Sequence, residues 1–319
     1  EIQKDLDDGI DTIGKKMTVC QLYAKQIRHR GNVRYNTKNG RKRLMKLLEE
    51  DKLGGCPIDS VKLSDAKEWA IRMKEKGISY KTISNDKRSL KAAFYTAIQD
   101  DCIRKNPFDF QLNTVIEDDT EPKVPLTPAQ EESFLSFAQN DKVYQKYYDE
   151  LIILLGTGLR ISELCGLTDT DINFENRIIN VDHQLLRSAE TGYYIETPKT
   201  KSGIRQIPMS EKVYEAFNRV LKRRRGAKAV TIDGYSNFLF LNRDGYPKTA
   251  TNYDGMFRGL AKKYNKYHEE ALPKVMTPHT LRHTFCTNMA NAGMNPKALQ
   301  YIMGHSNITM TLNYYACLL

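Results

Sequence analysis

From Thr18 to about Asn106 apolar residues recur at helical spacing with polar residues between them. Thr18 is placed to cap a helix containing Leu22, Tyr23 and Ile27, and Arg43–Glu50 continues another on Leu44, Leu47 and Leu48. Gly54-Gly55-Cys56-Pro57 breaks the pattern, and Ser64-Asp65 opens the helix of Trp69, which closes near Gly77. The clearest helix runs from Ser79 to Ile98. Ile83, Leu90, Ala93, Phe94, Ala97 and Ile98 form its core face, and Lys81, Asn85, Arg88 and Lys91 lie opposite. Asn106-Pro107 closes this bundle. The acidic, proline-bearing stretch Val115–Pro125 has no period and marks a linker, so a domain boundary is expected between residues 110 and 124.

A second domain begins at Leu126-Thr127-Pro128, a capped helix start. The next helix ends in the apolar run 151–155, and Gly156-Thr-Gly158-Leu159 then delivers Arg160 to the mouth of a short helix carrying Ile161, Leu164 and Leu167. A cation in so apolar a setting needs a partner, either Glu163 or an incoming anion. After Asp169 the period changes to alternation: Arg177–Val181, Tyr193–Ile195 and Ile204–Pro208 read as small antiparallel strands, with Gly203 in a turn. That turn region carries Lys199, Lys201 and Arg205. Residues 210–275 read as a return to helix, including the basic run Lys222–Arg225 as a solvated or phosphate-facing patch.

The last stretch is the most informative. Thr277 can cap and Pro278 fits the first helical position. His279, Arg282 and Cys286 then share one face, with Leu281 and Phe285 on a neighbouring one. A further helix starts at Asn295-Pro296, carries Leu299, Ile302 and Met303, and stops at Gly304, delivering His305. A short third helix, capped by Thr309 or Thr311, carries Tyr314 and Tyr315. Apolar packing does not require arginines, two imidazoles and a phenol in this order. An anion clamp, two proton-transfer groups and a phenolic nucleophile are what metal-free phosphoryl chemistry needs.

Composition narrows the picture. At 319 residues two domains are expected, and 40% hydrophobic content is enough for two cores. A formal charge of +10 favours an anionic partner, with nucleic acid leading. No apolar run is long enough to span a bilayer. The six cysteines (20, 56, 102, 165, 286 and 317) show neither metal-site nor disulfide-framework spacing, which points to a reducing compartment. His279 and His283 sit four apart, but Thr280 stands where a zinc-hydrolase helix needs Glu. His283 is instead expected to be a buried, hydrogen-bonded residue.

The order His279-x-x-Arg282, Gly304-His305, then tyrosine resembles the C-terminal signature of tyrosine recombinases, the site-specific DNA integrases. The wording LRHTFCTNMANAG and YIMGHSNITMTLNYYA is most similar to integrases of conjugative transposons and Gram-positive phages. The resemblance implies a mainly α, two-domain, C-shaped DNA clamp. Residues 17–110 would be a helical, SAM-like core-binding domain and 111–124 a linker. Residues 125–319 would be the catalytic domain, helical with a small antiparallel β-sheet. Residues 1–16 would lead in from an arm-binding region upstream. The implied catalytic set is Arg160, Lys201, His279, Arg282, His305 and Tyr315. Lys199 stays open as the alternative general acid and Tyr314 as the alternative nucleophile. Relatives place the tyrosine nine or ten residues after the second histidine; Tyr315 is preferred because Cys317 follows where relatives often have histidine. The reaction would cut and rejoin DNA through a 3′-phosphotyrosyl link to integrate and excise a mobile element, without metal, cofactor or ATP. The expected partners are double-stranded DNA of the element ends and target, further copies forming a dimer or tetramer, and an excision factor, in the bacterial cytoplasm at the nucleoid. A non-catalytic DNA-binding protein of the same fold and a type IB topoisomerase are the alternatives.

Overall fold

Capping chemistry decides where the helices begin. In α1 (Val19–His29) the Thr18 hydroxyl accepts from the Gln21 N–H at 3.2 Å while the Gln21 side chain accepts from the Thr18 N–H at 2.9 Å. The computed structural model describes residues 16–31, 33–121, 124–198, 200–224 and 230–315. The chain forms two compact units, Glu1–Pro122 and Lys123–Leu319.

The first unit is helical: α1, α2 (Tyr35–Glu49), α3 (Leu63–Glu75) and α4 (Tyr80–Gln99). Leu22, Leu44, Leu48, Trp69 and Phe94 are fully buried around Phe108, whose ring meets Trp69 edge-on at 5.7 Å. α2 starts well before Arg43, because its first two turns are polar and carry no apolar stripe for periodicity to detect. On α4, Lys81, Asn85 and Arg88 stand exposed as the pattern predicts, whereas Lys91 is tied to Asp109 at 2.5 Å. Asp86 is buried on the same helix and pairs with Arg43 at 2.5 Å.

The second unit packs around α6 (Tyr148–Thr157), whose Leu151, Ile153 and Leu154 are completely buried. Helices α5 (Pro128–Asn140), α7 (Ile161–Gly166), α8 (Glu211–Arg224), α9 (Ala250–Tyr267), α10 (Pro278–Asn291), α11 (Pro296–Met303) and α12 (Thr309–Tyr315) complete the helical part. A three-stranded antiparallel sheet runs β1 (Ile172–Asn173), β2 (Ile178–Val181), β5 (Arg205–Pro208), with Ile179 opposite Ile207 and Val181 opposite Arg205. Strands β3 (Gln184–Ser188) and β4 (Gly192–Glu196) form a separate hairpin. His183 ties the end of α7 to this hairpin through Nε2 to the Gly166 carbonyl at 2.7 Å, while its Nδ1 meets Asp182 at 2.5 Å. Asp171, Asp182 and His183 bring three donor atoms together, but both ring nitrogens are engaged within the fold. Where the chain enters this unit, the Leu126 N–H donates to the Thr284 hydroxyl at 2.9 Å, so the entry is pinned to α10.

The stretch 210–275 is not all helix. Between α8 and α9 the chain forms turns and isolated bridges, Thr168 with Phe238 and Leu241 with Pro247. Asp233, Gly234, Asn237 and Gly245 take positive φ there, which ends helices and makes turns. Within the basic run, Arg223 pairs with Asp149 at 2.6 Å and Arg224 donates to the Phe238 carbonyl at 2.5 Å, so both bind the fold together; Arg225 lies outside the described residues.

Candidate active site

The site is built on the end of α11. Asn295 caps its start, accepting from the Lys297 N–H at 2.9 Å, and Gly304 ends it in the left-handed conformation at φ +60°. The carbonyls at the end of an α-helix have no intrahelical donor and carry the negative end of its dipole. Here three successive carbonyls each take a different arginine. Ile302 accepts from Arg205 Nε at 2.6 Å, Met303 accepts from Arg282 Nη2, and Gly304 accepts from Arg160 Nη2 at 3.0 Å. Three cations distant in sequence are thereby gathered at one point. A Cβ on Gly304 would crowd the Ser202 carbonyl at 3.1 Å and Arg205 Nη1 at 3.2 Å, on top of a φ that favours glycine.

Glu163 is the counter-charge. It is buried and receives Arg205 through two bonds, Nη1 to Oε1 at 3.0 Å and Nη2 to Oε2 at 2.8 Å. Arg160 reaches the same carboxylate with Nη1 at 2.8 Å and with its backbone N–H at 2.8 Å, which caps α7. Burial alone would raise the Glu163 pKa. The hydrogen bonds and charge of Arg205, then the charges of Arg160 and Arg282, bring it down to about 2. Arg205 is wholly buried, whereas Arg160 keeps 38% of its side chain exposed. Arg160 alone of this pair is therefore presented to solvent.

Arg282 projects from the first turns of α10, buried, and donates to the carbonyls of Gly158 and Met303. Gly158 ends α6 at φ +64°, and a Cβ there would meet the Phe285 ring at 2.4 Å. Burial, then repulsion from Arg160, lowers the Arg282 pKa to about 9, so it remains a cation at neutral pH. His305 follows Gly304 and is buried, with Nδ1 3.0 Å from the Thr311 hydroxyl. Burial, then the charges of Arg282, Arg160 and Arg205, lower its pKa to about 4. The ring is thus neutral at pH 7, a hydrogen-bond group and not a fourth positive charge beside the three arginines.

Two members of the expected set stand outside this buried wiring. His279 is exposed at the start of α10, near enough for its charge to act on His305. Lys201 is exposed at the start of a short 3-10 turn, Lys201–Gly203, leading into β5. That turn abuts the end of α11 through the Ser202 carbonyl, and its Gly203 carbonyl accepts from Arg205 Nη1 at 3.1 Å. Lys199 and Cys317 lie outside the described residues.

The two tyrosines of α12 part company. The Tyr314 hydroxyl lies 3.1 Å from Nδ1 of His283, and the Arg282 charge acts on it. Tyr315 donates its hydroxyl to the Met294 carbonyl, and no arginine contributes to its titration. Burial, then Cys286, raises the pKa of both phenols; at Tyr314 the charge of Arg282 works against that rise.

Three side chains at the site stand in other surroundings than the sequence suggests. The sequence sets Arg205 beside Lys199 and Lys201 in the turn region leading into a strand; the structure puts it on β5 with its side chain inward, in line with the alternation of that strand. Glu163 was weighed only as a partner for Arg160. His283 was read as a buried hydrogen-bonding residue, and it is half-buried against Tyr314.

Known proteins place this geometry. Residues 125–318 match the model of the phage integrase family. The chain is 68% identical over 316 residues to the transposase of transposon Tn916 from Enterococcus faecalis, covering 99% of this chain and 78% of that one. The solved Tn1549 transposon integrase, in complex with a circular intermediate DNA, superposes with a TM-score of 0.91 at 78% identity, covering 94% of this chain and 95% of that one. A lambda integrase dimer bound to a core site, 16% identical with a TM-score of 0.63 over 93% of this chain and 76% of that one, shares the fold. The chain belongs to the phage integrase family as a tyrosine recombinase of the conjugative-transposon type, one of the enzymes that cut and rejoin DNA to integrate and excise mobile elements.

Proposed function

We propose that the chain works on the ends of its element and on a target duplex, with Tyr314 as the attacking group in place of Tyr315. The observation that carries the site is the gathering of three guanidiniums by the last carbonyls of α11, next to His305. Arg160 and Arg282 hold the non-bridging oxygens of the scissile phosphate, where negative charge grows as phosphorus becomes pentavalent. Arg205 touches no substrate and is a positioning residue. Lys201 protonates the leaving 5′ oxygen, and His279 and His305 hydrogen-bond the phosphate. The tyrosine keeps the phosphoryl bond as a 3′-phosphotyrosyl link, which the 5′ hydroxyl later reverses.

Two observations favour Tyr314. Its hydroxyl faces an imidazole and feels Arg282, whereas that of Tyr315 is spent on a backbone carbonyl. The solved forms of the Tn1549 integrase include an arginine-to-lysine and a tyrosine-to-phenylalanine variant. Those two positions stand as far apart in that chain as Arg160 and Tyr314 do here, one short of Tyr315.

The first unit serves as the core-binding domain, with the exposed Lys81 and Arg88 of α4 tracking phosphates. Exchange between two sites calls for assembly to a dimer and then a tetramer on DNA, in the bacterial cytoplasm, with an excision factor directing the outward reaction. The test is covalent trapping on a nicked suicide duplex bearing an element end. Wild type and Tyr315→Phe are expected to give an adduct stable to detergent, and Tyr314→Phe none. A wild type that binds the duplex yet gives no adduct would leave only the non-catalytic DNA-binding role.

A further inference from the structure

The roles above supply a phosphate clamp and a proton for the leaving oxygen, but no group to receive the proton of the attacking phenol. Tyr314 needs one. Burial and the nearby Cys286 thiol hold its phenol above the ordinary range despite the opposing charge of Arg282, so at neutral pH the phenolate is scarce. A neutral phenol is a poor nucleophile unless a base takes its proton as the bond to phosphorus forms. His305 is committed through Nδ1 to Thr311, and His279 is exposed one helical turn before His283.

His283 Nδ1 lies 3.1 Å from the Tyr314 hydroxyl, and the two rings pack with centroids 4.8 Å apart at 53°. Their helices, α10 and α12, pack directly on each other, so the pair is held by the fold and not by a mobile loop. A contact at hydrogen-bond reach between nucleophile and imidazole is the geometry that base-assisted attack requires. From this contact, and on the reading that Tyr314 is the nucleophile, we infer that His283 is a further catalytic residue, the general base for cleavage and the general acid for rejoining.

The step balances. The Tyr314 O–H proton passes to His283 Nδ1 while an oxygen lone pair forms the O–P bond. The P–O5′ bond breaks with its electron pair on O5′, which takes a proton from Lys201. Cleavage leaves an imidazolium and a neutral amine. In rejoining, Lys201 takes the proton of the attacking 5′ hydroxyl, and the imidazolium returns its own to the departing phenolate. Consecutive residues of α10, Arg282 and His283, then serve the phosphate and the nucleophile respectively.

The test compares adduct formation on a suicide duplex by wild type, His283→Ala and His283→Gln, each carrying either ordinary Tyr314 or a fluorinated tyrosine of lower pKa at that position. Loss of the base is expected to slow cleavage by about 100-fold or more with duplex affinity unchanged. The acidic phenol ionises unaided, so it is expected to recover at least tenfold of that loss in both His283 variants. A His283 that merely supports the fold would slow both phenols equally, and that result overturns the inference. A duplex with sulfur at the bridging 5′ position, which leaves without a proton, is expected to rescue Lys201→Ala and not His283→Ala; rescue of both overturns it. The underlying reading fails separately. An adduct that survives Tyr314→Phe and disappears in Tyr315→Phe removes the nucleophile, and the inference with it. An adduct lost in Tyr314→Phe but formed at the wild-type rate by His283→Ala removes only the base.

Discussion

The second unit holds two sets of chemistry-bearing side chains that differ in how they are fixed. Arg205, Arg282, Glu163 and His305 are buried and hydrogen-bonded within the fold, and Arg160 is half inside the same wiring. Lys201 and His279 stand exposed at a turn and at a helix start. The first set is arranged before any substrate arrives, because burying a guanidinium or a carboxylate without partners costs too much for the fold to tolerate. The second set incurs no such cost and can await the phosphate. Folding and catalysis are therefore coupled in one group and separable in the other.

The sharpest break in that comparison is Glu163→Ala. It leaves Arg205 buried without its carboxylate and is expected to cost about 3–5 kcal/mol of stability in denaturant unfolding, along with adduct formation. Pairing Glu163→Leu with Arg205→Met removes both charges and is expected to regain most of that stability without regaining cleavage. Recovery of cleavage in the double variant would show that the wiring does not position Arg160. An effect of middle size comes from acid. His305 binds its proton less readily when folded, at about 4 against an ordinary 6.5, so the folded state holds fewer protons than the unfolded one between those values. Stability is expected to fall as pH drops through 6.5 and to go on falling to about 4, by at most about 3 kcal/mol. Unfolding curves of His305→Gln over the same range should lack that slope. If they keep it, another group is responsible. The smallest stability effect belongs to the exposed set: Lys201→Ala is expected to change stability by no more than about 0.5 kcal/mol. Its cleavage of ordinary duplex should nonetheless collapse. A stability loss approaching that of Glu163→Ala would erase the distinction between the two sets.

The sequence exposes this division unevenly. The caps at Thr18, Ser79, Thr127 and Asn295 were legible because capping is a local matter of a side-chain oxygen and the next turn's N–H groups. His279, Arg282 and His305 were legible because helix period and the Gly304 stop set their spacing. Arg205 was not, since the burial of a strand residue depends on which face of β5 meets α11, a long-range fact. Tyr314 and Tyr315 are adjacent on one helix, and choosing between them needs the positions of His283 and Met294 on other segments. The turns between α8 and α9 were hidden by helix-compatible residues lying between the Asp-Gly and Asn signals.

The three carbonyls at the end of α11 also bear on how the site can drift. A backbone acceptor belongs to no particular side chain, so substitutions at Ile302 or Met303 that keep the helix leave the arginine sockets in place. The inheritance of the clamp is concentrated at the helix's stopping point, where Gly304 satisfies both φ and space. An insertion or deletion of one residue before Gly304 would turn every socket by about 100° around the helix axis and misalign all three arginines together. The clamp is thus tolerant of changed letters and intolerant of changed length.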